Sequence, residues 1–162
     1  MSQQNQNKLT RDAAIKELWR RGQLSWKLDA TQQELYKLYY NSSFKLQTWL
    51  LARRSGKTYT LCVLALEQCI RKPNVIVKIA SPTKIQVNNN LRPIFKKLLE
   101  DCPSDIAPEF KVKDYIYYFP NGSEIQLAGT DSQRAEDFQQ QLDNPNIKAI
   151  WCVKGGYGTV RI

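Results

Sequence analysis

The residues best suited to chemistry form a short run, Gly56-Lys57-Thr58. A nucleoside triphosphate is held by inward-pointing backbone N–H groups, by a lysine that reaches its β- and γ-phosphates, and by a hydroxyl that ligates Mg²⁺. These three residues supply the end of such a loop. The usual pattern also has a glycine five residues before Gly56, and that position is Leu51 here.

The elements on either side of this run favour the same chemistry. Residues 44–52 predict a strand that becomes wholly apolar at its end, as a buried parallel strand does. From Lys57 to about Ile70 the pattern predicts a helix, whose N-terminal dipole and free N–H groups would face the phosphates. The order of strand, loop and helix predicts nucleotide binding, and the alternative is a basic strand-to-helix turn without a ligand.

The remaining pattern alternates between helices and strands. The predicted helices span residues 10–21, a segment opened by the capping-box pattern Thr31–Glu34, a segment from Ser81-Pro82 to about Leu99, and 132–142. The predicted strands span residues 74–80, 114–119, 123–127 and 147–153, with a hairpin turn at 120–122. This order predicts an α/β fold, a partial sheet of the P-loop NTPase type. The predicted sheet is largely parallel, has flanking helices and contains one inserted β-hairpin. The N-terminal helices precede the sheet in the sequence.

Composition excludes several classes of chemistry. The chain has 162 residues, a net charge of +9 and no histidine. The missing histidine excludes Ser-His or Cys-His catalysis and any histidine-ligated metal within these residues. The four cysteines lack the paired short spacing of a zinc site. No secretory signal or bilayer-spanning run is present, so we expect a cytoplasmic protein that is not secreted and has no membrane partner.

The positive charge is unevenly distributed. Residues 1–60 hold 11 Lys and Arg against 4 Asp and Glu, whereas residues 131–162 hold 4 against 4. Such a basic segment indicates either a solvated face or attraction to a polyanion, meaning nucleic acid or a nucleotide phosphate.

The arginine-rich loop Ala52-Arg53-Arg54-Ser55-Gly56-Lys57-Thr58 resembles the deviant phosphate loop of phage terminase large subunits. These are the ATPases that drive double-stranded DNA into a viral capsid. Other segments that resemble this family are residues 17–28, Ala80-Ser81-Pro82-Thr83, residues 121–123 and residues 126–130. The resemblance covers about residues 8–132.

This resemblance implies an ATP and Mg²⁺ site. Gln32 would contact the adenine, with Gln33 as an alternative, although by its position alone Gln32 would be an exposed residue in a first helical turn. The complete predicted nucleotide-binding set is Gln32, Arg53, Arg54, Ser55, Gly56, Lys57 and Thr58. Within it Lys57 would bind the phosphates and Thr58 would ligate Mg²⁺ through its hydroxyl. Arg53 or Arg54 would sense or stabilise the γ-phosphate, where phosphoryl transfer develops negative charge.

The same resemblance implies partners. They are double-stranded DNA, a small terminase subunit and a portal protein, in the cytoplasm of a bacterial host. Hydrolysis is not expected, because a P-loop ATPase also needs an acidic pair at the end of an apolar strand. The candidate strand, residues 147–153, ends in Lys154-Gly155-Gly156, so the predicted catalytic set is incomplete.

The last part of the chain resembles a different family. Residues 133–138, 144–150 and 155–158 with Arg161 resemble the N-terminal domain of LD-carboxypeptidases, cytoplasmic serine peptidases that trim murein peptides. In that family the serine, glutamate and histidine of the active site lie further downstream. We therefore expect no peptidase reaction from these 162 residues alone.

Two resemblances in one chain predict two domains, residues 1–131 and 132–162. Gly129-Thr130-Asp131 marks the predicted join, which recombination, a frameshift or a sequence assembly error would produce. The leading interpretation is a truncated terminase ATPase region that binds ATP. The alternatives are another P-loop DNA motor of the helicase kind, a peptidase fragment, and a non-functional chimera that contains an LD-carboxypeptidase fragment.

Overall fold

The structure is a computed structural model that describes residues 3–43, 46–52, 54–81, 83–129, 147–154 and 157–161. Its helices are α1 (Gln3–Arg20), α2 (Ala30–Asn41), α3 (Lys57–Arg71), α4 (Lys84–Gln86) and α5 (Arg92–Leu99), with a short 3-10 helix at Ser25–Lys27 and a π-helix at Val87–Leu91. Its strands are β1 (Leu46–Leu50), β2 (Ile76–Ser81), β3 (Glu109–Lys111), β4 (Ile116–Tyr118), β5 (Glu124–Gly129), β6 (Ile147–Lys154) and β7 (Tyr157–Arg161).

The described strands form one mixed sheet in the order β1-β7-β6-β2-β5-β4-β3. Only β2 pairs in parallel, with β5 on one side and β6 on the other. Every other described pairing is antiparallel. These pairings make β1, β2, β5 and β6 run in the same direction, so their carboxyl ends lie along one edge of the sheet.

The α/β prediction is confirmed, but the prediction of a largely parallel sheet is wrong. The error comes partly from β7, which was not predicted and which pairs antiparallel with both β1 and β6. Strand β1, expected to be a buried parallel strand, therefore lies at the sheet edge beside an antiparallel neighbour, and Leu50 at its end is 72% exposed. An apolar strand end therefore did not indicate burial between two parallel neighbours.

Helix α3 is the centre of the core. Its side chains from Thr60 to Glu67 are all buried, as is Cys69. It packs against β2 and β5 of the sheet and against α2 and α5. A helix that is apolar on all sides is the kind that becomes enclosed within a domain, and here it places its own N-terminus at the end of β1.

The N-terminal helices are fixed to α3 through one buried carboxylate. Glu67 is fully buried and accepts hydrogen bonds from the Leu24 backbone N–H (2.5 Å), Tyr36 Oη (3.1 Å) and Tyr40 Oη (2.6 Å). The Leu24 N–H and Tyr36 bind its Oε1, Tyr40 binds its Oε2, and Arg71 Nη2 lies 3.2 Å from that same Oε2. Buried charges are retained where hydrogen bonds and a counter-charge satisfy them, and this one joins three segments of the chain.

Most predicted elements are present, with shifted ends. The capping box of α2 uses Asp29 and Gln32 rather than Thr31 and Glu34. Thr83, not Ser81, caps α4. Strands β3 and β7 were not predicted, and the expected helix over residues 132–142 lies outside the described residues. The predicted division at residue 131 falls in the same undescribed segment and stays a prediction.

No helix in the described part of the chain combines the length and apolar character that crossing a bilayer requires.

Candidate functional site

The loop between β1 and α3 holds most of the residues predicted to bind a ligand. It leaves β1 at Leu50 and enters α3 at Lys57, with Gly56 as the N-cap at φ 75° and Arg54 at φ 63°. Two left-handed residues in so short a segment turn the chain sharply from strand into helix. Arg54 is exposed, and Arg53 lies outside the described residues.

The ammonium group of Lys57 is folded back onto this loop. Its Nζ donates to the carbonyl oxygens of Leu51 (3.0 Å) and Ala52 (2.7 Å) and lies 3.3 Å from Ser55 Oγ. All three acceptors are neutral, so the positive charge has no acidic partner among the described residues. The structure therefore places the Lys57 ammonium at the N-terminus of α3 without a described counter-charge.

Gln32 reaches the same place from α2. The side chain is 8% exposed, and its Oε1 accepts from the Asp29 backbone N–H at 3.0 Å. A Cβ built on Gly56 would lie 2.0 Å from Gln32 Nε2, which places the amide nitrogen directly against the loop. This nitrogen donates no hydrogen bond to any residue that the structure describes. The expectation that Gln32 is an exposed helical residue is thus wrong, because the capping box turns its side chain inward.

Gln33, the alternative to Gln32, points elsewhere. It is exposed, and its Nε2 donates to the Leu28 carbonyl oxygen at 3.2 Å. The structure therefore brings Gln32, Ser55, Gly56 and Lys57 together and leaves Gln33 apart.

The predicted Mg²⁺ ligand, Thr58, is half-buried in the first turn of α3. Among the described residues no group of three or more His, Cys, Asp or Glu side chains is placed to hold a metal ion. A Mg²⁺ ion here would have the Thr58 hydroxyl as its protein ligand and would depend on ligand phosphates and water for the rest, which is a common arrangement for this ion.

Comparison with known proteins identifies the family of this chain. The family model described as the LD-carboxypeptidase N-terminal domain matches residues 76–162, a range that contains every described strand from β2 onward. The chain belongs to the LD-carboxypeptidase family. The predicted resemblance of residues 133–162 to this family is confirmed, and the match extends further toward the N-terminus than predicted.

The match overturns the terminase interpretation. Its range includes residues 80–83, 121–123 and 126–130, the same segments that resemble a terminase. The prediction of a terminase large subunit, with its classification as a P-loop, ATP-binding protein of viral DNA packaging, is therefore wrong. Short motifs such as Gly-Lys-Thr and Ser-Pro-Thr mark strand-to-helix turns in many α/β folds, so their order alone was not decisive.

One curated relative adds a narrower match within the LD-carboxypeptidase family. The murein tetrapeptide carboxypeptidase of Pseudomonas aeruginosa is 56% identical over 32 residues. That alignment covers 20% of this chain and 10% of the relative, so the chain spans only a small part of the relative's length. No solved structure matches the chain.

Three sets of expectations remain predictions, because none of these comparisons concerns them. The first is the ligand role of the loop residues, with ATP and Mg²⁺. The second is the set of partners, namely DNA, a small subunit and a portal protein. The third is the cytoplasmic location.

Proposed function

We propose that this chain contributes to the N-terminal domain of a murein-peptide carboxypeptidase and binds short murein peptides. The observation that carries the proposal is the family match over residues 76–162, which spans the parallel strands β2, β5 and β6. In open α/β sheets, ligands bind beyond the carboxyl ends of the strands. The relative's name supplies the substrate class, a tetrapeptide of murein.

The proposal is one of binding, without turnover by these residues alone. The chain contains no histidine to serve as a general base for a serine. Peptide-bond cleavage of the serine type therefore needs residues that this sequence does not contain.

Titration of the purified chain with murein tetrapeptide tests the proposal. We expect saturable binding, followed by calorimetry or tryptophan fluorescence, and no release of the peptide's C-terminal amino acid. A tetrapeptide of unrelated sequence and matched charge serves as the control and should bind more weakly. Absence of binding by the tetrapeptide, or equal binding of the two peptides, contradicts the proposal.

We also propose that the loop between β1 and α3 binds a phosphate-bearing ligand. Three features support this second function: the N-terminus of the 15-residue helix α3, the Lys57 ammonium, which has no acidic partner within the described part of the chain, and the buried Gln32 amide nitrogen. Phosphate oxygens would replace the loop carbonyls as acceptors for Lys57, since a charged acceptor forms a stronger hydrogen bond than a neutral one. The proposal concerns this loop alone, as a site for phosphate groups.

ATP with Mg²⁺ and inorganic pyrophosphate are suitable probes of this loop. Replacing Lys57 by Ala removes the cation and should weaken binding of both probes at least about tenfold, as loss of a charge-assisted hydrogen bond does. Lys72→Ala is the matched control, because Lys72 is exposed at the opposite end of α3. Equal affinities in wild type, K57A and K72A would refute phosphate binding at this loop and would leave the peptide proposal unaffected.

A further inference from the structure

The two edges of the described sheet differ in how they are protected against further strands. At one edge lies β3, which has three residues, and two of them, Glu109 and Lys111, are charged and exposed. Short edge strands with charged side chains are a common means by which a sheet avoids pairing with another chain. At the other edge lies β1, whose five residues, Leu46–Leu50, include no charged one. The edge at β1 therefore lacks the protection that the edge at β3 has.

Successive side chains of β1 alternate between a covered face and an exposed face. Trp49 is 6% exposed, and its indole Nε1 donates to Gln47 Oε1 at 3.2 Å. Gln47 Nε2 in turn donates to the Leu38 carbonyl oxygen of α2 at 3.5 Å. Thr48 and Leu50, which point to the other face, are both exposed. One face of β1 is thus fixed against α2, so the strand is held in an extended form at the sheet edge.

A groove of about 790 Å³ runs along the backbone of β1. Residues 47–49 all line it, although their side chains point alternately to the two faces of the sheet. A groove that touches three successive residues lies beside the strand and not over one of its faces. Since β7 occupies one side of β1, the groove lies along the other side, where no described strand is paired.

The outer wall of this groove is one face of α2. It is formed by Glu34, Lys37, Leu38 and Asn41, which follow the spacing i, i+3, i+4 and i+7 of a single helical face. Leu38 is 58% exposed on this face. The groove therefore places an exposed apolar side chain next to the unpaired edge of a strand, and a further strand with its own apolar surface fits this combination.

The charges on this face of α2 indicate what kind of partner fits. Glu34 and Lys37 are exposed, and neither forms an ion pair with another residue in the described part of the chain. A two-fold axis reverses the chain direction, so it would bring Glu34 of one copy toward Lys37 of the other. A face that holds both signs of charge is complementary to a second copy of itself. Exposed pairs of this kind contribute little affinity, and they mainly set the orientation.

We propose that β1 is a dimerisation edge, at which it pairs antiparallel with β1 of a second copy of this chain. Thr48 is the middle residue of the strand, so it lies opposite Thr48 of the other copy, and Gln47 lies opposite Trp49. The two seven-stranded sheets become one continuous sheet, with both α2 helices on the same face and Leu38 covered between them. These residues precede residue 76, where the family match begins, and the inference depends on neither proposed function.

The position of Thr48 on the two-fold axis gives a sharp test. Thr48→Lys places two lysines directly opposite each other, and Thr48→Glu does the same with two carboxylates. We expect the wild-type chain to show a reversible monomer–dimer equilibrium in analytical ultracentrifugation over a concentration series. Each variant alone should dimerise at least about tenfold more weakly, because like charges repel at the seam. An equimolar mixture of the two variants should recover dimers, in which lysine faces glutamate.

Val112→Lys is the matched control, because Val112 is 57% exposed just after β3, at the opposite edge of the sheet. It should dimerise like the wild type. Hydrogen exchange of the wild-type chain at low and high concentration needs no variant and locates the contact. The amides of residues 46–50 should become more protected as the concentration rises, and those of residues 109–111 should not change.

Several results would overturn the assignment. They are a wild-type chain that stays monomeric up to its solubility limit, equal dimerisation of T48K and V112K, and concentration-dependent protection that excludes residues 46–50. Failure of the mixed variants to dimerise while each is folded by circular dichroism would also contradict the two-fold pairing. Polymers that protect residues 46–50 together with residues 109–111 would mean that β1 pairs with β3 of the next copy, which replaces the closed dimer by an open chain.

Discussion

The Gln32 side chain occupies the space that any side chain at residue 56 would need. A Cβ on Gly56 would lie 2.0 Å from Gln32 Nε2 and 2.9 Å from its Cδ. Two segments far apart in the sequence, α2 and the loop before α3, thus depend on each other for their packing. Glycine at position 56 satisfies both this contact and the left-handed backbone angle of the turn.

Replacing Gly56 by Ala should lower the free energy of unfolding by about 1–3 kcal/mol, because it forces a left-handed φ and a steric conflict at once. Chemical denaturation measures the loss. The double variant Gly56→Ala/Gln32→Ala removes the steric conflict and should restore only part of the stability. A G56A protein as stable as wild type would contradict the close packing of Gln32 on the loop.

Gly129→Ala should also destabilise the fold, through backbone rather than side-chain atoms. A Cβ at position 129 would lie 2.5 Å from the Lys84 backbone nitrogen and 2.9 Å from the Thr83 carbonyl carbon. Because these backbone atoms cannot rotate away from the new methyl group, we expect the free energy of unfolding to fall by about 1–3 kcal/mol. Chemical denaturation measures this loss. Adding Lys84→Ala should not relieve it. Relief by that second substitution would show that the conflict lies with the side chain instead.

The buried carboxylate of Glu67 should contribute strongly to stability. Glu67→Leu leaves the hydroxyls of Tyr36 and Tyr40, the Leu24 N–H and the Arg71 guanidinium without their acceptor, and we expect a loss of about 3–5 kcal/mol. Glu67→Gln retains one acceptor oxygen and should cost less.

Glu34→Gln provides the control for Glu67, since Glu34 is exposed on α2 and should change the unfolding free energy by less than about 0.5 kcal/mol. Thermal and chemical denaturation of the three variants give the comparison. Equal stabilities of E67L and E34Q would show that the Glu67 hydrogen bonds do not stabilise the fold.

The fold should lose stability in alkaline solution. Burial, with the Glu67 carboxylate nearby, raises the pKa of Tyr39 to about 12, and burial raises the pKa of Tyr117 to about 12, against an ordinary value of 10.0. A raised folded-state pKa contributes stability that is complete below pH 10 and is lost as the pH rises toward 12, because the unfolded chain ionises first. Denaturation at a series of pH values between 8 and 12 checks the slope.

Tyr117→Phe removes one of these groups and should flatten the alkaline slope. Absorbance of tyrosinate gives an independent reading, because the buried hydroxyls should ionise only as the chain unfolds. A pH-independent unfolding free energy between 9 and 12 would contradict this account.

Local pattern predicted the helices better than the sheet. The apolar composition of residues 57–70 predicts a buried helix, and α3 extends from Lys57 to Arg71. The apolar end of residues 44–52 equally predicts burial, yet Leu50 is 72% exposed. A helix closes its hydrogen bonds within itself, whereas the environment of a strand depends on partners elsewhere in the chain.

The loop before α3 and the cavity between α5 and the strands β3 and β4 differ in the same way. Lys57 and Gly56 are identifiable from local sequence, because their chemistry is that of one continuous loop. Arg92, Lys96 and Glu100 alone indicate a solvated helix face, and only their packing beside the strand residues Phe110 and Tyr117 creates a cavity. The position of the Gln32 side chain likewise could not be predicted from local sequence, since it depends on how α2 packs against α3.

The pairing of β1 with β7 has a consequence for the order of folding. Among the described residues, the strand pairing of Leu46–Leu50 is with Tyr157–Arg161, which lie far downstream in the sequence. During synthesis on the ribosome, the strand that leads into the Lys57 loop must wait until residues 157–161 have emerged before it can dock. Contacts between such distant segments close large loops and form late. A nascent chain should therefore assemble α3 with β2 and β5 first and fix the loop before α3 last.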